Sequence, residues 1–117
     1  MPKLVLLLTK KPGTTLEQFK HYFETVHVPE ACRRIPAIKR ADYRRNYISQ
    51  TVEPGADRAP IDFDVITEIT FASQADFDSF AAALSEPANA EWIVQDALKY
   101  ADPGKTRSYL VDERVSQ

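Results

Sequence analysis

His27 stands four residues after Phe23 and eight after Phe19, so a helix through this segment sets all three rings on one apolar face. An imidazole on that face looks into the protein. Two roles fit such a position: a core histidine with its hydrogen bonds satisfied, or a group that moves protons. Pro29, two residues on, deletes a backbone donor and loosens the helix near His27 and Val28. A partly buried imidazole titrating near neutrality suits general acid/base work.

Few other side chains compete with it. Cys32 is the only cysteine. It is either a small half-buried thiol or a nucleophile activated by neighbouring Arg33 and Arg34. Tyr43 and Tyr47 alternate onto one strand face, and Thr67 is a polar break in the apolar row from Phe63 to Phe71. Each has a plain reading: two phenols filling the core with their hydroxyls at its edge, and a β-favouring threonine with a locally bonded hydroxyl. Glu68 falls on the opposite strand face and is expected to pair with an arginine such as Arg44. Asp96 and Glu113 read as loop or edge ties. Three glycines cannot build a dinucleotide or phosphate loop, and no Gly-x-Ser-x-Gly elbow occurs. Two histidines six apart and one cysteine give no zinc-ligand spacing, so no metal is expected.

The 117 residues suffice for one domain with a single core, expected to span 1–117. The longest apolar run, Leu4 to Leu8, is far too short for a bilayer span, which needs roughly 20 residues. It runs into Lys10, Lys11 and Pro12, unlike a signal peptide, and a lone cysteine permits no internal disulfide. A cytoplasmic protein with no membrane partner is expected. The formal net charge of −2 hides an asymmetry. Residues 1–45 hold ten Lys/Arg against four Asp/Glu, and the remainder five against thirteen. Such a split either solvates two faces or draws an anionic ligand or a second subunit to one end.

Turn residues at Pro12-Gly13, 51–60, Pro87 and Asp102-Pro103-Gly104 divide the chain. Lys3 to Thr9 is a first strand. Thr15, with Gln18 three residues later, opens a first helix near Leu16, on which Phe19, Tyr22, Phe23, Val26 and Glu30 fall at helical spacing. This helix must end before Pro36. Ile38 to Gln50 reads as a long second strand and Ile61 to Phe71 as a third. Ser73, with Asp76 at the third position, caps a second helix bearing Phe77, Phe80, Ala81 and Leu84. Residues 89–100 form another short helix with Trp92, Ile93, Ala97 and Tyr100. Thr106 to Val115 is the last strand. The order β-α-β-β-α-(α)-β predicts an α+β, ferredoxin-like, four-stranded antiparallel sheet with helices on one face.

The first strand is apolar on both faces, Val5 and Leu7 on one and Leu4, Leu6 and Leu8 on the other. Helices cover one face only. The other leaves apolar surface in water at roughly 25 cal/mol per Å². A homodimer pairing sheet against sheet removes that cost.

The segment from Phe19 to Pro29, with its Tyr22-Phe23 pair followed by His27-x-Pro29, resembles the signature of the EthD family. The preceding strand end Thr9-Lys10-Lys11-Pro12-Gly13, the helix start at Thr15, the run Tyr43-Arg44-Arg45-Asn46-Tyr47 and the strand Phe63 to Phe71 are similar in order and spacing. The resemblance implies a dimeric α/β barrel. It implies kinship with proteins accompanying ether and aromatic degradation, cofactor-independent lactone isomerases and fungal polyketide dehydratases. In the isomerases a first-helix histidine and a second-strand tyrosine line a pocket between sheet and helices. Carried over, these are His27 and Tyr43. Ile69 stands where the isomerases place a cysteine, and Tyr47 where many members carry histidine. With Tyr43 and Tyr47 on the helix side, two phenols and an imidazole converge on a pocket walled by Phe23, Phe63, Ile69 and Trp92. Such a pocket suits a small aromatic or lactone ligand.

Three functions follow from different premises. A cofactor-independent lyase, isomerase or dehydratase would use His27 as acid/base and Tyr43 to hold a carbonyl or phenol. A non-catalytic binding or auxiliary protein of a degradation pathway would use His27 as an anchor only. Nucleic-acid binding draws on the interleaved Arg40, Tyr43, Arg44, Arg45 and Tyr47. It is disfavoured by Asp64 and Glu68 on the third strand and by the negative net charge.

Overall fold

The computed structural model describes residues 1–52 and 62–116. Strand β1 (Lys3–Leu8) leads to helix α1 (Leu16–Tyr22), a π-helical turn (Phe23–His27) and helix α2 (Val28–Arg34). A 3₁₀ turn (Pro36–Ile38) then precedes β2 (Asp42–Tyr47) and β3 (Val65–Thr70). Helices α3 (Gln74–Leu84) and α4 (Pro87–Tyr100), a second 3₁₀ turn (Pro103–Lys105) and β4 (Arg107–Val111) complete the chain. The sheet order is β2-β3-β1-β4, every neighbouring pair antiparallel. This is the α+β, ferredoxin-like arrangement that the element order predicts.

Local chemistry accounts for the helix ends. The Thr15 hydroxyl accepts from the Gln18 N–H at 3.1 Å, and the Gln18 amide oxygen accepts from the Thr15 N–H at 2.9 Å. The Ser73 hydroxyl caps α3 by accepting from the Asp76 N–H at 3.1 Å. Pro87 not only ends α3 but supplies the first turn of α4, where a missing N–H costs nothing.

The first helix does loosen where expected, and the form it takes matters. Pro29 cannot donate, and its ring crowds the carbonyl four residues back. The backbone widens into the π turn, with the Val28 N–H bonded to the Phe23 carbonyl. The core-facing residues are Phe19, Phe23, His27 and Ala31. Val26 is 43% exposed, whereas Tyr22 packs against the same aromatic cluster and stacks on Tyr100.

The strands are shorter than their sequence patterns. Pro36 and Ala37 turn Ile38 into a buried 3₁₀ residue, so β2 starts only at Asp42. Ile61 and most of the 51–60 loop lie outside the described residues. Asp64 is a bend whose carboxylate accepts from the Lys10 N–H at 2.7 Å, and β3 begins after it. The last strand is cut to Arg107–Val111 and is exposed throughout, as an edge strand.

The register assigns the two sheet faces. Leu4, Leu6, Leu8, Val65, Thr67, Ile69, Tyr43 and Tyr47 face the helices. Val5, Leu7, Ile66, Tyr109 and Val111 lie on the face without helices. There Lys3 bridges Glu68 (2.8 Å) and Glu113 (2.5 Å), and Asn46 donates to Glu68 at 3.1 Å. Glu68 therefore takes a lysine in place of the expected arginine. Arg44, directly opposite in register, turns to Asp42.

Two apolar clusters fill the space between sheet and helices. One joins Ile35, Ile38, Ile69, Phe71 and Phe80. The other joins Leu8, Phe19, Phe23, Val65 and Tyr100. Among the described residues no helix is long and apolar enough to cross a membrane.

Candidate functional site

The π turn delivers His27 to a place prepared mainly by α4. Its imidazole is stacked against Phe23 (ring centroids 5.0 Å, 19° between planes) and Trp92 (5.2 Å, 10°). With its faces covered, the ring acts through its two nitrogens. Nδ1 lies 2.8 Å from Oδ2 of Asp96. Nε2 lies 3.4 Å from the Tyr100 hydroxyl. The other Asp96 oxygen, Oδ1, accepts from the Tyr22 hydroxyl at 2.5 Å. Asp96 is only 3% exposed, so these two bonds are what make its burial tolerable.

This set of partners fixes the imidazole's proton. A carboxylate can only accept, so the neutral ring carries its hydrogen on Nδ1 and leaves the Nε2 lone pair to accept from the Tyr100 hydroxyl. Burial holds His27 below its ordinary range, and Asp96 opposes that without overcoming it. A ring kept neutral and oriented, with Nε2 as its basic atom, has the state a general base needs. Burial also pushes up the neighbouring phenols, Tyr100 strongly and Tyr22 to about 12, with Asp96 adding to both. They are hydrogen-bond donors, not anions, at neutral pH.

The second strand adds a different network. Glu24 accepts from Arg45 through Nε (2.9 Å) and Nη2 (2.8 Å), and from the Tyr47 hydroxyl at 2.6 Å. The Arg45 hydrogen bond holds the Glu24 carboxyl below the usual range. Arg45 also lies over the Tyr43 ring at 4.8 Å. Tyr43 is pushed up, chiefly by burial. Thr67 is opposite Arg45 in register and 1% exposed. Its hydroxyl has no hydrogen-bond partner among the described residues, contrary to the locally bonded reading.

The structure thus brings Phe23, His27 and Trp92 into contact. Tyr43, Ile69 and Trp92 belong to or border one cluster, with Tyr47 against the other. Phe63 does not join them. It lines a separate cavity of about 650 Å³ at the sheet's end with Lys10, Asp64 and Arg107. The cavity beside Trp92, about 420 Å³, is lined by helical residues alone and opens outward between the π turn, α2 and α4. Burial raises the Cys32 thiol, outweighing Lys39 and Arg45, so it is not an activated nucleophile.

Asp96 and Tyr100 are the residues that sequence reasoning missed. Asp96 is no loop tie but a buried helical carboxylate. A signal for it did exist: Trp92, Asp96 and Tyr100 recur every four residues, just as Phe19, Phe23 and His27 do. Two such stripes facing each other give a stacked, hydrogen-bonded cluster.

The sheet, its one-sided helices and a histidine held between them define a small ferredoxin-like α+β protein. Comparison with known proteins makes this specific: the EthD domain model matches residues 11–104, and the chain belongs to the EthD family. No curated protein matches it. Among solved structures it is similar to an ethyl tert-butyl ether D (EthD) family protein from Bacillus halodurans. The identity is 22%, with a TM-score of 0.61 over 97% of this chain and 99% of that one. An EthD-like protein from Ralstonia eutropha shares 19% identity and a TM-score of 0.63 over 94% and 86% of the two chains. A dimeric ferredoxin-like protein from Thermobifida fusca shares 11% identity and a TM-score of 0.52 over 94% and 88%. At these identities the likeness is one of fold.

Proposed function

We propose that the protein is a small cofactor-independent enzyme of lyase, isomerase or dehydratase type, acting on an aromatic, polyketide or lactone metabolite. The observation that carries this reading is the Asp96–His27 contact of 2.8 Å, which leaves Nε2 as the basic atom, with the Tyr100 hydroxyl 3.4 Å from it. Nε2 takes a proton from carbon next to a carbonyl. The electrons of that C–H bond pass to the carbonyl oxygen, which Tyr43 holds by hydrogen bonding. Returning the proton to a different carbon completes an isomerisation. Delivering it to a departing hydroxyl completes a dehydration. Neither route needs a redox group. Phe23, Ile69 and Trp92 supply the apolar wall, and Tyr47 and the unpaired Thr67 hydroxyl supply polar contacts for the ligand.

The working unit in this proposal is a homodimer joined through the uncovered sheet face. Val5, Leu7, Ile66, Tyr109 and Val111 lie there, and the Thermobifida fusca neighbour is described as dimeric. The chain 1–117 acts as one domain in this reading. Its single cysteine suits a reducing cytoplasm.

The test is a thermal-shift screen of wild type and His27→Ala against small phenols, anthrone-like polyketides, lactones and carboxylates, followed by turnover assays on each hit. A ligand at about 100 times Kd adds roughly 2.7 kcal/mol. A hit that wild type converts and His27→Ala does not supports the enzyme. Conversion unchanged in His27→Ala overturns it. Saturable binding with no conversion by wild type replaces it with a carrier or auxiliary role.

A further inference from the structure

The groove of about 420 Å³ outside the His27 cluster has its own chemistry. Its walls are Tyr22, Val26, Pro29 and Trp92, two aromatic rings and two aliphatic side chains. Its polar atoms are largely committed. Asp96 is taken by Tyr22 and His27. Glu30 is taken by Arg33, with Arg34 at 3.5 Å. Lys99 remains, and it makes no ion pair or hydrogen bond among the described residues. The groove thus sets four apolar or aromatic side chains beside polar ones that are already paired, Thr25, Glu30, Arg33 and Asp96, and carries one unmatched cation, Lys99, at its rim. Its size lies within the range of small-ligand sites.

We infer that this groove binds a small aromatic carboxylate, its ring against Tyr22, Val26 and Trp92 and its anion on Lys99. The site shares Trp92 with the proposed substrate pocket but lies on the helical surface, where no strand residue lines it. It shares three side chains with the histidine's support: Trp92 stacks on the imidazole, Asp96 holds Nδ1, and Tyr22 holds Asp96. A ligand seated there touches the outer side of that support.

Trp92 is the only tryptophan, so its indole N–H gives one resolved NMR signal. Benzoate is the probe, benzamide the neutral control of like shape, and chloride the control for salt. The variants are Lys99→Glu and Val26→Phe, both at exposed positions that leave the core intact, and Tyr43→Phe to report on the inner pocket. Benzoate is expected to move the Trp92 signal saturably. Lys99→Glu is expected to weaken binding about tenfold, because reversing a charge near the ligand anion replaces attraction by repulsion. Val26→Phe weakens it by filling the groove, benzamide binds less tightly than benzoate, and Tyr43→Phe leaves the affinity alone. No saturable shift in wild type overturns the inference, as does a shift that neither groove variant alters. A shift lost only in Tyr43→Phe puts benzoate in the inner pocket, overturning this site while leaving the proposed enzyme standing. The readout needs no turnover, so failure here and failure of the enzyme reading are told apart.

Discussion

The two halves of the space under the helices are built on different principles. Around Phe71 and Phe80 the packing is dominated by apolar side chains: Ile35, Ile38, Ile69 and two phenylalanines at 5.0 Å. Around Phe19 and Phe23 the aromatic packing is as dense, but it carries a buried acid, an imidazole and three phenols. The first half gains stability from dispersion and dehydration alone. The second gives up part of that gain to hold polar groups in fixed geometry. A protein with only a structural core has no need of the second kind. The site proposed above lies in the half between the π turn and α4.

The comparison breaks if the apolar half also controls the histidine, and the strongest test comes from there. Phe71→Ala should cost about 3–5 kcal/mol in denaturant unfolding, since Phe71 is fully buried. It should leave the NMR titration of His27 unmoved at temperatures where the protein is folded. Asp96→Ala should cost less, about 1–3 kcal/mol, by stranding the Tyr22 hydroxyl and the His27 Nδ1–H. Unlike Phe71→Ala, it should move the His27 titration further down, because Asp96 is the influence that raises it.

The pH dependence sharpens the contrast. Folded His27 holds its proton less tightly than the unfolded ordinary value of about 6.5. As pH falls through 6.5 the unfolded chain takes up the proton first, so stability drops with falling pH in that window. Glu24 acts lower. Its folded value is depressed, so its contribution is complete above about 4.5 and is lost as pH falls through the folded value. Chemical unfolding against pH should therefore show a first loss below 6.5, absent in a His27→Gln variant, and a second below 4.5, weakened by Arg45→Gln. The smallest effect is expected at Thr67. Thr67→Val removes a buried hydroxyl that has no partner, so stability should hold or rise by about 1 kcal/mol. Ligand affinity should fall if that hydroxyl serves the pocket, and an unchanged affinity would return Thr67 to a packing role.

Much of the apolar half was legible in advance. The Ser73 cap, the Phe77–Phe80–Leu84 stripe and the alternation from Val65 to Phe71 are signals of short range, and each held. The polar half was legible only on its first helix. Phe19, Phe23 and His27 advertise their shared face, and Pro29 advertises the loosened turn. That Asp96 meets His27 across 69 residues, and Tyr22 across 74, had no counterpart in local pattern.

By itself the sequence determined the elements, their order and the histidine on the apolar stripe, because helix and strand periods and caps are set by near neighbours. Strand limits slipped where one residue had a better use for its polar group, as Asp64 did at the start of β3. Only the tertiary structure decided which nitrogen of His27 meets Asp96 and which meets the Tyr100 hydroxyl. That choice depends on the distance and rotation of α4 against the π turn. Such a relation is fixed by packing of both elements on the sheet, and no stretch of sequence contains it.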